Sequence, residues 1–315
     1  MNIVFFGTSE FAIPALQSLI DSRHKVVALV TQPDRKRGRN LKLSPSPTKV
    51  LALSKDIPVF QPQNASGAES INYLKKLDAD LFIVISFGQI LKREILSIPK
   101  LYAVNVHGSL LPQYRGAAPT NWAIINGDKK SGVTIIKMNE KMDEGDIILK
   151  RETAIENEDT NITLTEKLSE VGAKVLLETI ALIENKKEVK LEKQNSADVT
   201  YAPKLKKEDG LIAWNEPALK IHNKVRGFIP WPGAYTYYDG KTLKILKTEV
   251  VTSSSEVAQN GEVIDIVEGK GIIVRTGLGN LAIQYLQLEG KKALDSDSFV
   301  RGHRIARGYK FTSKQ

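Results

Sequence analysis

The stretch Ala79-Asp80-Leu81-Phe82-Ile83-Val84-Ile85 ends in five consecutive large apolar residues. Successive side chains of a strand point to opposite faces, so an unbroken run is buried on both. That is the signature of a central strand in a sheet covered by helices on each side. Working outward, similar short runs recur at Asn2–Phe6, Lys25–Val30, Ile57–Phe60, Tyr102–Val106 and Gly132–Met138. Helical spacings lie between them. Phe11, Ala15, Leu16, Leu19 and Ile20 follow the first run, and a long pattern extends from Ile162 to Ile183. Strands alternating with helices predict an α/β fold, a Rossmann-like doubly wound parallel sheet.

The pattern changes near residue 200. Residues 185–210 are charged and polar. Pro217–Phe228 reads as one helix, and Pro230-Trp231-Pro232-Gly233 forces a turn. Short alternating runs follow at Ala234–Tyr238, Thr242–Val250, Gly261–Val267, Gly271–Thr276 and Leu281–Leu288, which predicts a small C-terminal OB-like β-barrel. The expected organisation is a catalytic domain over 1–189, a linker over 190–208 and a barrel over 209–315.

The 315 residues include no cysteine and four histidines, which removes disulfides, thiolate metal sites and cysteine nucleophiles. No metal is expected. The formal net charge is +9, and Lys and Arg outnumber Asp and Glu by 18 to 12 over residues 201–315. A basic excess concentrated there suggests a polyanionic partner for the second domain. The N-terminus reads as a strand entering a turn rather than a signal peptide, and the apolar runs are too short to span a bilayer. A soluble cytoplasmic monomer is expected, with no membrane partner.

Three stretches carry chemistry. Asn105-Val-His107-Gly-Ser-Leu-Leu-Pro-Gln-Tyr-Arg-Gly116 continues the Tyr102–Val106 strand. Asn105 and His107 are two apart, hence on one face, at the strand end where open α/β sheets bind ligands. Lys141-Met-Asp143-Glu-Gly-Asp-Ile147 follows the next strand and brings carboxylates to the same sheet edge. A carboxylate reaching a histidine orients it and stabilises its cation. With no serine elbow and no cysteine, an Asn, a His and an Asp suit an amine of one substrate attacking a carbonyl of another, with donors on the developing oxyanion. The same residues also suit a strand-end hydrogen-bonding pair and a plain surface turn. Gly7-Thr8-Ser9-Glu10 lacks both the dinucleotide fingerprint and the P-loop lysine. His24, His222 and His303 read as surface or locally bonded residues, and Trp122, Trp214 and Trp231 as packing anchors. The third stretch, Gln32–Lys49, is rich in Pro, Arg and Lys and long for a connection inside a domain.

These stretches, with Pro119, Trp122-Ala-Ile, Phe6–Ala12, Tyr201–Glu208 and Arg226–Gly233, resemble the formyltransferase superfamily that uses 10-formyltetrahydrofolate. The basic loop and the Tyr201–Glu208 motif make the resemblance strongest to the branch that acts on methionyl-initiator tRNA. It implies 10-formyltetrahydrofolate as formyl donor and methionyl-initiator tRNA as acceptor. By the same resemblance Asn105, His107 and Asp143 are catalytic. Ser109, Leu110, Leu111 and Pro112 contact folate, and Arg39, Lys204 and Lys207 face tRNA. Sugar-nucleotide formyltransferases, the hydrolase domain of formyltetrahydrofolate dehydrogenase and glycinamide ribonucleotide formyltransferases share the core motif but fit the loop, the linker or the second domain less well. A non-catalytic RNA-binding module is the alternative of a different class.

Overall fold

The computed structural model describes residues 1–37, 42–185, 189–251 and 258–312. Its contacts divide into two compact units. The first comprises Met1–Pro119, Lys130–Ala154 and Thr165–Pro203, and the second Thr120–Lys129, Ile155–Leu164 and Lys204–Gln315.

The first unit contains β1 (Asn2–Gly7), β2 (Lys25–Val30), the short antiparallel pair β3 (Arg35–Arg37) and β4 (Lys42–Ser44), β5 (Val59–Phe60), β6 (Leu81–Ile85), β7 (Tyr102–His107), β8 (Arg115–Gly116), β9 (Lys130–Lys137), β10 (Asp146–Ala154) and β11 (Tyr201–Ala202). Seven of these form one sheet in the order β10-β9-β7-β6-β1-β2-β5. The chain adds strands to one side of β1 and then returns to build the other side, so the sheet has a switch point between β1 and β6. Every residue of β6 is buried, as its unbroken apolar run requires. Pairing is parallel from β7 through to β5, but β9 runs antiparallel to β7, and β10 to β9. The sheet is therefore mixed at one edge, where the sequence suggested parallel pairing. The antiparallel return starts the Asp143 turn beside the beginning of β7, where Met138 N donates to the Ala103 carbonyl, and Asp143 then reaches back to His107. Phe6, Phe82 and Phe87 pack edge-on or tilted on one face. The Asn161–Glu184 helix brings Gly172 so close to the sheet that a Cβ there would press on Val106.

The segment 32–49 is anchored at its base. Lys49 Nζ bonds both Asp34 oxygens, at 3.0 and 2.8 Å, and Gln61 Oε1 at 2.7 Å. These bonds hold the Asp34 carboxyl below the ordinary carboxylate range. Ser46 caps the Pro47–Leu53 helix by accepting from Lys49 N, and Pro47 supplies the preset φ of a first helical residue. Thr48 Oγ1 ties that helix to the Gly7 carbonyl at 2.9 Å.

The second unit holds β12 (Ala234–Tyr238), β13 (Lys241–Val251), β14 (Val263–Val267), β15 (Gly271–Arg275), β16 (Asn280–Leu288) and β17 (Leu294–Asp295). They pair antiparallel in the order β12-β13-β16-β15-β14, with β17 on β16. The ring of pairing closes through the C-terminal segment. Val263 N donates to Tyr309 O, Phe311 N to Gly261 O and Tyr237 N to Thr312 O, which links the β14 edge to the β12 edge. Among the described residues of this unit, closure leaves no long unpaired edge. Trp214 lies inside, stacked on Phe311 and bonded to Thr236. Trp231 departs from the packing expectation. It is half exposed because it sits in a turn, where no strand or helix face covers it. Among the described residues, no helix is long and apolar enough to cross a membrane.

Candidate active site

Register places the trio. Asn105 lies opposite Val84 of β6 and Ile136 of β9, and His107 opposite Thr134. Both side chains leave the same face of β7 at its C-terminal end. His107 is 7% exposed. Its Nε2 lies 2.9 Å from the Tyr114 carbonyl, which only accepts, so Nε2 carries a hydrogen. Its Nδ1 faces Asp143 Oδ1 at 3.5 Å. The other Asp143 oxygen accepts from Gly116 N at 2.8 Å. The carboxylate thus spans from a main-chain donor to the imidazole.

Asp143 has φ 55°, in the left-handed region, where a non-glycine residue stays only if its surroundings hold it. They do. Gln194 Nε2 donates to the Asp143 and Gly145 carbonyls, and Gly145 approaches the end of β9 so closely that a Cβ would collide with the Lys137 carbonyl. Arg115, itself buried, donates to Gln194 Oε1 and faces Glu144 at 3.3 Å.

The loop after His107 is built as a wall. Thr134 Oγ1 donates to Ser109 O at 2.7 Å and accepts from Leu111 N at 3.0 Å. Ser109 Oγ donates to Gln113 O, and Leu111 is buried with Ile136 and Ile147. Ser109 and Leu111 are therefore inside this wall, while Leu110 and Pro112 keep exposed surface. Leu110 lies over Gly132, where a Cβ would collide with it.

Among the described residues, three buried polar atoms at the C-terminal ends of the parallel strands have no hydrogen-bond partner: Ser9 Oγ after β1, Gln32 Nε2 after β2 and Asn105 Oδ1 on β7. An unpaired buried polar atom is costly, and a ligand that meets it recovers that cost. Among the described residues, no group of three or more acidic or histidine side chains is placed to hold a metal ion. The site has the parts for acid–base and electrostatic catalysis without a covalent intermediate.

Lys204 and Lys207 are both exposed, Lys207 opening a short 3-10 turn at Lys207–Gly210. Arg39 lies outside the described residues. His24, His222 and His303 make local bonds, to the N-terminus, Thr248 and the Phe299 carbonyl. Sequence reading missed Gln194, which sits in a polar stretch with no spacing signal. It also missed the role of the Tyr114 carbonyl, since a main-chain acceptor leaves no trace in residue type.

Residues 1–180 match the formyl transferase family model, and residues 204–304 match that of the formyl transferase C-terminal domain. A methionyl-tRNA formyltransferase from Geobacter sulfurreducens is 45% identical over 98% of this chain and 96% of its own. One from Caldanaerobacter subterraneus is 46% identical over 98% and 99%. Among solved structures, an N-formyltransferase from Helicobacter canadensis, in complex with folinic acid and dTDP-3-aminofucose, shares the fold. Its TM-score is 0.66 at 20% identity, over 89% of this chain and 98% of that one. The chain belongs to the formyl transferase family, and within it to the methionyl-tRNA formyltransferases.

Proposed function

We propose that this enzyme transfers the formyl group of 10-formyltetrahydrofolate to the α-amino group of methionyl-initiator tRNA, through direct amine attack and a tetrahedral intermediate. Whole-length identity to methionyl-tRNA formyltransferases supports the acceptor. The mechanism rests on one observation: Asp143 spans from Gly116 N–H to His107, two residues along β7 from Asn105, whose buried Oδ1 has no partner among the described residues.

The neutral amine attacks the formyl carbon, and the carbonyl electron pair moves to oxygen. The Asn105 amide donates to that oxyanion. His107, held through Nε2–H by the Tyr114 carbonyl, presents Nδ1 between Asp143 and the reacting centre. A proton shared by Nδ1 and the carboxylate shifts toward the oxyanion as its charge grows. The attacking nitrogen loses a proton to the carboxylate or water. Collapse then expels N10 of tetrahydrofolate, which takes up a proton. Leu110 and Pro112 would supply the apolar wall for folate, with Ser109 and Leu111 supporting it from behind. Arg39, Lys204 and Lys207 would meet the tRNA backbone. The protein would act as a monomer in the cytoplasm, and sedimentation tests the former.

The test is formyl transfer by Asn105→Ala, His107→Ala and Asp143→Ala, each checked for folding. Loss of one oxyanion donor costs roughly 10²–10³ in rate. Near-normal turnover in any two variants refutes the mechanism. Transfer to a nucleotide-linked amino sugar but not to methionyl-tRNA refutes the acceptor.

A further inference from the structure

The segment 192–202 touches both supports of the imidazole–carboxylate pair. Gln194 Nε2 donates to Asp143 O at 2.7 Å and to Gly145 O at 2.8 Å, fixing the main chain on both sides of Glu144. Gln194 Oε1 accepts from Arg115 Nε at 3.0 Å and from a second Arg115 nitrogen at 2.8 Å. All four bonds of one amide are thereby committed, and its rotation is fixed by a buried guanidinium. Farther along, Thr200 Oγ1 accepts from Tyr114 N and Thr200 O from Arg115 N, both at 2.9 Å. Tyr114 O in turn is the acceptor of His107 Nε2. Main-chain pairing of β11 with β8 continues the same clamp.

We infer that Gln194 is a positioning residue for formyl transfer: its amide donors hold the left-handed Asp143 turn so that the carboxylate reaches both Gly116 N–H and His107. The inference rests on the catalytic reading of Asp143 and deepens it. Without the two donors, nothing else bonds those carbonyls among the described hydrogen bonds, and a non-glycine residue at φ 55° relaxes toward negative φ. The carboxylate then swings off His107 while the substrate-contacting surface stays in place. The effect falls on the chemical step rather than on binding.

Gln194→Glu separates this from a purely structural role. A carboxylate at 194 still accepts from Arg115, now as an ion pair, but cannot donate to the two carbonyls. Folding should be retained, with a lowered melting temperature because two carbonyls lose their donors. Misplacement of about 1 Å costs as much as roughly 10²-fold, so kcat should fall about 10–100-fold with KM for 10-formyltetrahydrofolate and for methionyl-tRNA unchanged. Gln194→Met, uncharged and of similar length, gives the same reading if the glutamate variant does not fold. In an Asp143→Ala background, Gln194→Glu should add no further loss, because a residue acting through Asp143 has nothing left to position. Wild-type kcat in both 194 variants, a multiplicative loss in the double variant, or a loss confined to KM would overturn the inference. A dead Asp143→Ala enzyme beside a normal Gln194→Glu enzyme overturns the positioning role alone. A normal Asp143→Ala enzyme overturns the catalytic reading and the inference together.

Discussion

Thr134→Val probes the wall beside the candidate site. Thr134 is fully buried on β9, opposite His107, and its one hydroxyl serves two main-chain groups: it donates to Ser109 O and accepts from Leu111 N. Valine keeps the shape and removes the hydroxyl. Ser109 and Leu111 are buried as well, so water does not replace it. Each orphaned buried group costs about 1–3 kcal/mol, which gives a loss of about 2–6 kcal/mol for the pair. Thr134→Ser keeps both bonds and loses one methyl group, a cost of about 1 kcal/mol. Urea unfolding followed by circular dichroism measures the three proteins side by side. The valine variant should unfold at clearly lower urea than the serine variant, and its turnover should fall because the loop that follows His107 loosens. A valine variant within about 1 kcal/mol of wild type, less than one orphaned group costs, refutes the argument.

Acid should weaken the fold through two partly buried histidines. Burial lowers the His222 pKa below the ordinary 6.5, and burial lowers that of His24 as well. The unfolded chain then binds more protons than the folded one in the window just below 6.5, so stability is complete above it and falls as pH drops through it. His222→Gln, which can still reach Thr248, should flatten that dependence in urea titrations at several pH values, and an unchanged slope contradicts the assignment. Residues 209–315 should bind tRNA largely through phosphates, so affinity should drop steeply between low and moderate salt; a salt-independent affinity argues against it. Arg39→Leu should impair transfer to methionyl-tRNA more than Arg35→Leu, with Arg39→Lys only partly restored, because a guanidinium grips phosphate through two parallel bonds. Equal losses at 35 and 39 would make Arg39 one charge among many.

Much of this protein was legible one residue at a time. The unbroken apolar run of β6 can be satisfied only at the centre of a two-sided sheet, and the structure buries all of it. Asn105 and His107 share a face because the period of a strand is two, whatever surrounds it. Five alternating runs after residue 230 became five strands of the second unit, since local alternation and turn residues specify a half-buried strand. Tertiary structure decided the rest. The direction of β9 and β10 depends on where the chain turns back, which apolar content does not encode. The closing of the second unit's ring rests on residues 309–312, whose only sequence mark is a basic, aromatic tail. The meeting of His107 with Asp143 joins a strand end to the turn between β9 and β10, and Gln194 reaches the Asp143 carbonyl from another stretch of chain. Hydrogen bonds to main-chain carbonyls favour no residue type at the acceptor, so the clamp that holds the Asp143 turn is written only in three dimensions.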